Sequence, residues 1–249
     1  MNHMIQAEWL KEKRSANNRL LWLVPVIFMG FSFLMSLLMG QSPDGKSYLV
    51  TSAFNWYPLL ILPIVISLLV TNTYAKEKKN RNDQYFQSMG LSKGKQYISK
   101  NIVVLVELFI ILVVSTILLL VINRVWMQDP ISIQRMSLAT ICLFLGSLPM
   151  MGMSFLLYRY TNKFVVILVN FLCTGLSAII AVKTWWYLFP WSYSIRMMAP
   201  VLGIHPNGTF LESSSPLLDT STVYTGSGLG IAVYLTLTIL SYWTYIKGE

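Results

Sequence analysis

Six long apolar runs, separated by shorter polar stretches, set the pattern of this chain. They cover residues 20–40, 54–74, 102–123, 136–158, 164–182 and 226–246. A run of about 18 or more apolar residues is long enough to cross the hydrocarbon core of a bilayer as a helix. The pattern therefore predicts an all-α, polytopic membrane protein with six transmembrane helices in one domain over residues 1–249. Ahead of the first run, residues 1–19 place Met1, Ile5 and Trp9 at helical i, i+4 spacing with Leu10 beside them, and Lys11, Lys13 and Arg14 form a basic face. This predicts an interfacial helix lying in the headgroup layer. The segment also holds Glu8 and Glu12, and no small-residue cleavage site follows the first run. It reads as the lead-in to a retained anchor rather than as a signal peptide.

Two connections carry more than turn residues. Residues 75–100 read "AKEKKNRNDQYFQSMGLSKGKQYISK". Tyr85, Phe86 and Met89 share one face of a short predicted helix, which Gly90 ends. Ser92 is placed as the N-cap of a second helix running through Lys100 into the third span. An exposed helix that shows Tyr, Phe and Met suggests a protein partner, since these residues are enriched at interfaces. Residues 183–225 open with "TWWYLFPWSYSIRMMAPVLGI" after Lys183. That stretch is too aromatic for a solvated loop, and Pro190 and Pro200 break it too often for a full span. A re-entrant helical pair is predicted, with Trp185, Trp186, Tyr187, Trp191 and Tyr193 in the aromatic belt. His205, in the polar stretch that follows, has no His, Cys or carboxylate at ligand spacing and reads as a loop histidine.

Glu107 is the one ionisable residue deep in an apolar run. An intramembrane carboxylate is a functional candidate by default. It lies only about 8 Å in from Ile102 at 1.5 Å per residue, so it could also reach the interface or pair with a Lys or Arg. A structural role suits a lone carboxylate better than a proton relay. Pro25, Pro58, Pro63 and Pro149 predict kinks, and Gly226, Gly228 and Gly230 predict close packing of the last span.

Composition agrees with the hydropathy pattern. Hydrophobic residues make up 55% and charged ones 12% of the 249 residues, and the mean hydropathy is +0.57. A soluble domain carries about 25% charged residues. The two cysteines, Cys142 and Cys173, lie inside apolar runs and read as small packing residues. The net charge of +9 is unevenly placed. With six spans, most Lys and Arg fall on the side of both termini, leaving Lys46, Arg124, Arg135, Lys183 and Arg196 on the other. The positive-inside rule makes the termini cytoplasmic. The charge thus belongs to membrane topology and does not point to nucleic acid.

One motif tests this topology. "GQSPDGKS", residues 40–47, matches the phosphate-binding pattern G-x-x-x-x-G-K-[ST] letter for letter. A P-loop needs a buried strand before it and a helix that opens at its lysine, so that backbone N–H groups point at the phosphates. Here a membrane span precedes the segment, and "YLVTSAFNWYP" after Ser47 starts no convincing helix. The segment also falls on the external side, away from cytoplasmic ATP. The expectation is an ordinary turn.

The layout resembles a known family. Glu8, Lys11, Lys13, Arg14 and Ser15 are similar to the "E…K.KRS" start of type 2 ABC permeases of the lantibiotic-immunity and bacitracin-export kind. Residues 77–100 are similar to that family's loop after the second span, although Met89-Gly90-Leu91-Ser92 stands where many relatives carry a proline turn. The stretch "WWYLFPWS" resembles its external re-entrant region. The resemblance implies a permease subunit without an ATPase of its own, in a bacterial plasma membrane. ATP and magnesium would sit on a separate ABC ATPase, present in two copies, and this chain would hold no cofactor or metal. Asp83, Gln84, Tyr85, Phe86, Met89, Gly90 and Leu91 would form the coupling helix that docks on that ATPase. A second permease subunit, identical or related, would complete the pathway. Glu107, Trp185, Trp186, Trp191 and Tyr193 would line the pathway or an external gate for an amphipathic peptide antibiotic taken from the lipid. Two other classes compete. A secondary transporter or channel would show several intramembrane charges or an inverted repeat, and an intramembrane enzyme would show facing carboxylates, His pairs or a Ser/Lys dyad.

Overall fold

A computed structural model of the chain describes residues 2–13, 15–80 and 92–247. Six helices are long and apolar enough to cross a membrane: Ala16–Met39, Tyr48–Ala75, Lys93–Met127, Ile133–Tyr160, Lys163–Ile180 and Ser221–Ile246. They are the first to sixth spans below. A shorter helix, Asn2–Glu12, precedes them, and another, Tyr193–Leu202, lies between the fifth and sixth. Among the described residues the only β-pairing is an isolated bridge between Ile204 and Phe210. The protein is an all-α, multi-pass membrane protein. The end of the bundle where the first span begins is called the base, and the opposite end the crown.

The spans follow the apolar runs, with two informative extensions. The second span starts at Tyr48, not near Phe54 as expected, and Ser47 caps it by accepting from the Val50 N–H at 3.3 Å. Its opening residues look unremarkable in isolation. However, Leu49, Val50, Ala53 and Phe54 are all buried, and packing of this kind stabilises a helix more than intrinsic propensity does. The same span carries Pro58 inside a π-helical turn, Tyr57–Ile61. Such a turn accommodates the backbone bond that proline cannot make. The third span starts at Lys93, so its first turns run through the basic stretch before Ile102. Ser92 sits at the N-cap as expected, but its side chain makes no capping bond.

The entry to the first span is an elbow built from Glu8, Lys11, Glu12 and Ser15. Lys11 pairs with Glu8 at 2.5 Å. The Ser15 hydroxyl donates to the Glu12 carboxylate and accepts from the backbone N–H groups of Asn17 and Asn18. Ser15 thus caps the first span and ties the preceding helix to it. Of the expected apolar face, Ile5 and Trp9 are half-buried. Glu8 and Glu12, four residues apart, are buried, while Leu10 is exposed. The helix packs against the third span.

The segment after the fifth span is re-entrant. From Ile180 at the crown the chain runs inward to Trp191, whose indole N–H donates to Asn170 Oδ1 at 3.0 Å. Asn170 lies ten residues before Ile180, about 15 Å along the helix axis, roughly half the thickness of the hydrocarbon core. The helix Tyr193–Leu202 then climbs back toward the crown between the fourth and sixth spans. Backbone contact makes this fit possible. A Cβ on Gly146 would lie 2.6 Å from the Ser194 nitrogen, and one on Gly230 would lie 2.4 Å from the Leu145 carbonyl oxygen. Gly226 faces Met197 in the same way, whereas Gly228, grouped with these two from its spacing, faces open space.

Gly230→Ala is therefore expected to push the fourth and sixth spans apart and to cost about 1–3 kcal/mol by overpacking. Gly228→Ala is expected to leave stability unchanged or slightly raised, because alanine is the better helix former. Thermal denaturation of the detergent-solubilised chain separates the two. Equal melting temperatures for both variants would refute the close contact.

Candidate functional site

Two constellations hold the polar groups that the bundle takes out of water. The first lies at the base. The Asn17 side-chain amide donates to the Leu69 carbonyl at 3.1 Å, to Thr73 Oγ1 at 3.2 Å and to Glu107 Oε2 at 3.0 Å. Asn17 Oδ1 accepts from Asn72 Nδ2 at 3.1 Å, and Asn72 Oδ1 accepts from Lys163 Nζ at 2.9 Å. One chain of bonds thus links the first, second, third and fifth spans. Glu107 is fully buried in it. Beside this chain stands an aromatic layer. Lys100, also fully buried, holds its ammonium 4.7 Å from the centre of the Tyr74 ring and 5.7 Å from that of Tyr245. Tyr97 packs on Phe155 and Tyr245, and Tyr74 on Tyr158. Rings around a desolvated cation stabilise it by cation–π attraction. The bond chain and the aromatic layer share Tyr74's end of the second span, and together they touch all six spans.

The second constellation is built on the re-entrant segment. Asn170 donates from Nδ2 to Ser67 Oγ at 2.9 Å and to Ser154 Oγ at 2.7 Å, while its Oδ1 accepts from Trp191. The second, fourth and fifth spans and the re-entrant turn meet at that one side chain. Nearer the crown, Tyr193 donates to the Tyr187 carbonyl at 2.6 Å and meets Trp186 edge-on at 5.9 Å between ring centres. Arg196 lies 5.8 Å from the Trp186 ring and donates from Nη1 to the Leu217 carbonyl at 2.9 Å. Burial pushes the Arg196 pKa down, and the field of Asp219 opposes that shift. Asp219 itself is held below the usual carboxylate range, first by the Ser221 hydroxyl, then by the Ser221 backbone N–H, and further by Arg196. Burial raises the Tyr193 phenol.

The predicted site residues divide accordingly. Trp186, Trp191 and Tyr193 come together on the re-entrant segment. Trp185, beside Trp186 in sequence, is 46% exposed. Trp191 leaves the expected aromatic belt and reaches the middle of the bundle, because its indole N–H needs the acceptor that Asn170 supplies. Glu107 lies at the base in the Asn17 chain of bonds, whereas the tryptophans lie on the re-entrant segment. Asp83, Gln84, Tyr85, Phe86, Met89, Gly90 and Leu91 lie outside the described residues. The nucleotide-like segment is a turn. Lys46 N–H donates to the Pro43 carbonyl at 3.0 Å, and Gly45 takes the left-handed φ of +72°. A helix does open after Ser47, against expectation. Yet a helix also precedes the turn, and the Lys46 ammonium lies over the Phe210 ring at 4.8 Å. His205 accepts the Asn207 N–H within its own loop.

The family model for the ABC-2 family transporter protein matches residues 4–177, from the N-terminal helix through most of the fifth span. The chain belongs to the ABC-2 transporter family. No curated protein and no solved structure matches it. The protein is thus a membrane permease subunit of an ABC transporter, and the family implies work with an ABC ATPase. Residues 178–249, with the re-entrant segment and sixth span, lie beyond the matched region. Among the described residues the permease shows no cluster of His, Cys, Asp and Glu able to hold a metal.

Sequence reasoning missed Asn17, Asn170 and Lys100. A signal for each was present, since an amide or ammonium within or beside an apolar run needs partners on another helix. The partners themselves left no trace in the sequence. The Asn17 contact yields a test of Glu107. Glu107→Gln keeps an oxygen acceptor for the Asn17 amide, and normal abundance and transport are expected. Glu107→Leu removes that acceptor, with an expected loss of about 1–2 kcal/mol and lower membrane abundance. Normal abundance of Glu107→Gln with abolished transport would instead make Glu107 a titrating group.

Proposed function

We propose that this ABC-2 permease expels an amphipathic peptide antibiotic of the lantibiotic or bacteriocin type from the outer face of a bacterial plasma membrane. Two permease subunits, identical or related, would form the pathway, and two copies of a separate ATPase would drive it. Both termini would face the cytoplasm. The observation that carries the substrate reading is the re-entrant segment. Its inner turn is anchored at mid-bundle by Trp191 and Asn170. Its outer edge presents Trp185, Tyr187 and Leu188, all well exposed. An aromatic ledge at the bilayer boundary suits a peptide that is itself half apolar, because ring faces and edges accept both apolar and cationic side chains. The resemblance of residues 8–15 and 185–192 to lantibiotic-immunity permeases points the same way.

Coupling is assigned to Asp83–Leu91, between the second and third spans. The two spans that bracket this segment end in the Tyr74–Lys100 contact. A displacement delivered there by an ATPase would therefore reach the whole base as one unit.

The reading is tested in cells that make the permease with its ATPase and are challenged with a pore-forming peptide. Trp185→Ala together with Tyr187→Ala is expected to lower protection severalfold at unchanged membrane abundance. Full protection by that pair would remove the peptide reading. Phe86→Asp is expected to leave abundance normal and abolish both ATPase copurification and protection, since an unpaired charge in an interface costs on the order of 2–5 kcal/mol. Retained ATPase binding would move the coupling contact elsewhere.

A further inference from the structure

A cavity of about 660 Å³ opens at the base between the ends of the second, fourth, fifth and sixth spans. Arg159 and Lys163 stand on its wall, from the last turn of the fourth span and the first residue of the fifth. The hydroxyl-bearing residues Tyr158, Thr161 and Ser241 share it, and Phe155 lines it one turn deeper. Its volume lies within the roughly 300–1,000 Å³ usual for small-molecule sites. No carboxylate among the described residues lines it.

The two cations are held but not neutralised by what they touch. Lys163 uses one donor on Asn72 Oδ1, at 2.9 Å, and an ammonium has three. The Arg159 guanidinium lies 5.8 Å from the centre of the Tyr245 ring, a cation–π contact, and a guanidinium carries five N–H donors. A guanidinium fork beside an ammonium suits a tetrahedral oxyanion, which takes two parallel bonds from the fork and a further one from the ammonium. Residues 159–163 also mark where two spans meet the polar boundary, the level at which a bilayer carries its phosphates. The half-buried rings of Tyr158 and Tyr245, on the same wall, offer an apolar surface to whatever is attached below the phosphate.

From this arrangement we propose that the cavity binds the phosphate-bearing headgroup of an anionic phospholipid, with Arg159 and Lys163 on the phosphate and the Tyr158 and Tyr245 rings against the glycerol and first acyl carbons. Basic pockets between membrane helices recognise anionic headgroups by this combination. The site is separate from the crown and from the proposed peptide ledge, and its test does not require transport. Soluble phosphate shares the oxyanion chemistry but brings nothing for the apolar wall.

The experiment uses the full chain, immobilised and equilibrated with mixed micelles of phosphatidylglycerol and phosphatidylcholine, then washed and analysed for retained lipid by mass spectrometry. It is run in about 1 M salt, where the screening length is about 3 Å and diffuse surface attraction is suppressed. About one retained phosphatidylglycerol per chain is expected, in clear excess over phosphatidylcholine. A direct charge-assisted hydrogen bond to the phosphate survives that screening and is worth about tenfold in affinity. Lys163→Gln, which keeps a donor for Asn72, should weaken retention about tenfold, and adding Arg159→Gln should bring the loss to about a hundredfold. Lys93→Gln with Lys95→Gln removes two charges from the same end of the bundle but off the cavity, and should change nothing. If the double cavity variant is recovered poorly, the Lys163→Gln and Tyr158→Phe single variants carry the comparison. Equal retention of the two lipids, or equal effects of the cavity pair and the control pair, overturns the proposal. Displacement of the lipid by excess inorganic phosphate assigns the site to a soluble anion and overturns the lipid assignment.

Discussion

The structure depends on a single constraint: inside an apolar bundle, a side-chain amide has no water to turn to. Such a group offers two donor hydrogens and an acceptor oxygen, and each needs a partner of protein. Asn17 meets this requirement with groups from the second and third spans, and Asn170 meets it with groups from the second span, the fourth span and the re-entrant turn. Apolar contacts alone would allow the spans to slide or rotate past one another, because lipid tails are as apolar as leucine. The two amides remove that freedom. They specify which spans are neighbours and at what height.

The base and the middle of the bundle are joined by different means. The base is rich in rings and buried charge, and Lys100 sits among tyrosines. Toward the middle of the bundle the joint is made by absence of side chains, with Gly146 and Gly230 set directly against the backbone of neighbouring segments. A cation over a ring loses little energy as it shifts, whereas a backbone in van der Waals contact has nowhere to go.

The six spans were legible in the sequence because the bilayer is a nearly uniform solvent, and twenty apolar residues mean the same thing wherever they occur. The re-entrant segment was legible because Pro190 and Pro200 contradict the apolar content around them. The early start at Tyr48 was not, since the Ser47 cap is the one local signal beside a turn and burial of Leu49 and Phe54 supplies the rest. The depth of Trp191 was hidden for a similar reason. A tryptophan among other tryptophans reads as an interfacial residue, and only the position of Asn170 shows otherwise. The "GQSPDGKS" stretch marks the opposite case, in which a familiar string of letters folds as a turn because two helices flank it.

The re-entrant helix also has a history imposed by synthesis. It is held between the fourth span, already made, and the sixth, which follows it in the chain. Until residues 221–246 have been translated and inserted, Met197 lacks its contact with Gly226. A segment with a buried arginine and two prolines has little reason to stay in lipid on its own. Residues 186–202 are therefore expected to complete their packing only once the final span closes over them. Assembly of the interior is in this sense out of sequence order, and the ribosome finishes the chain before the chain finishes its core.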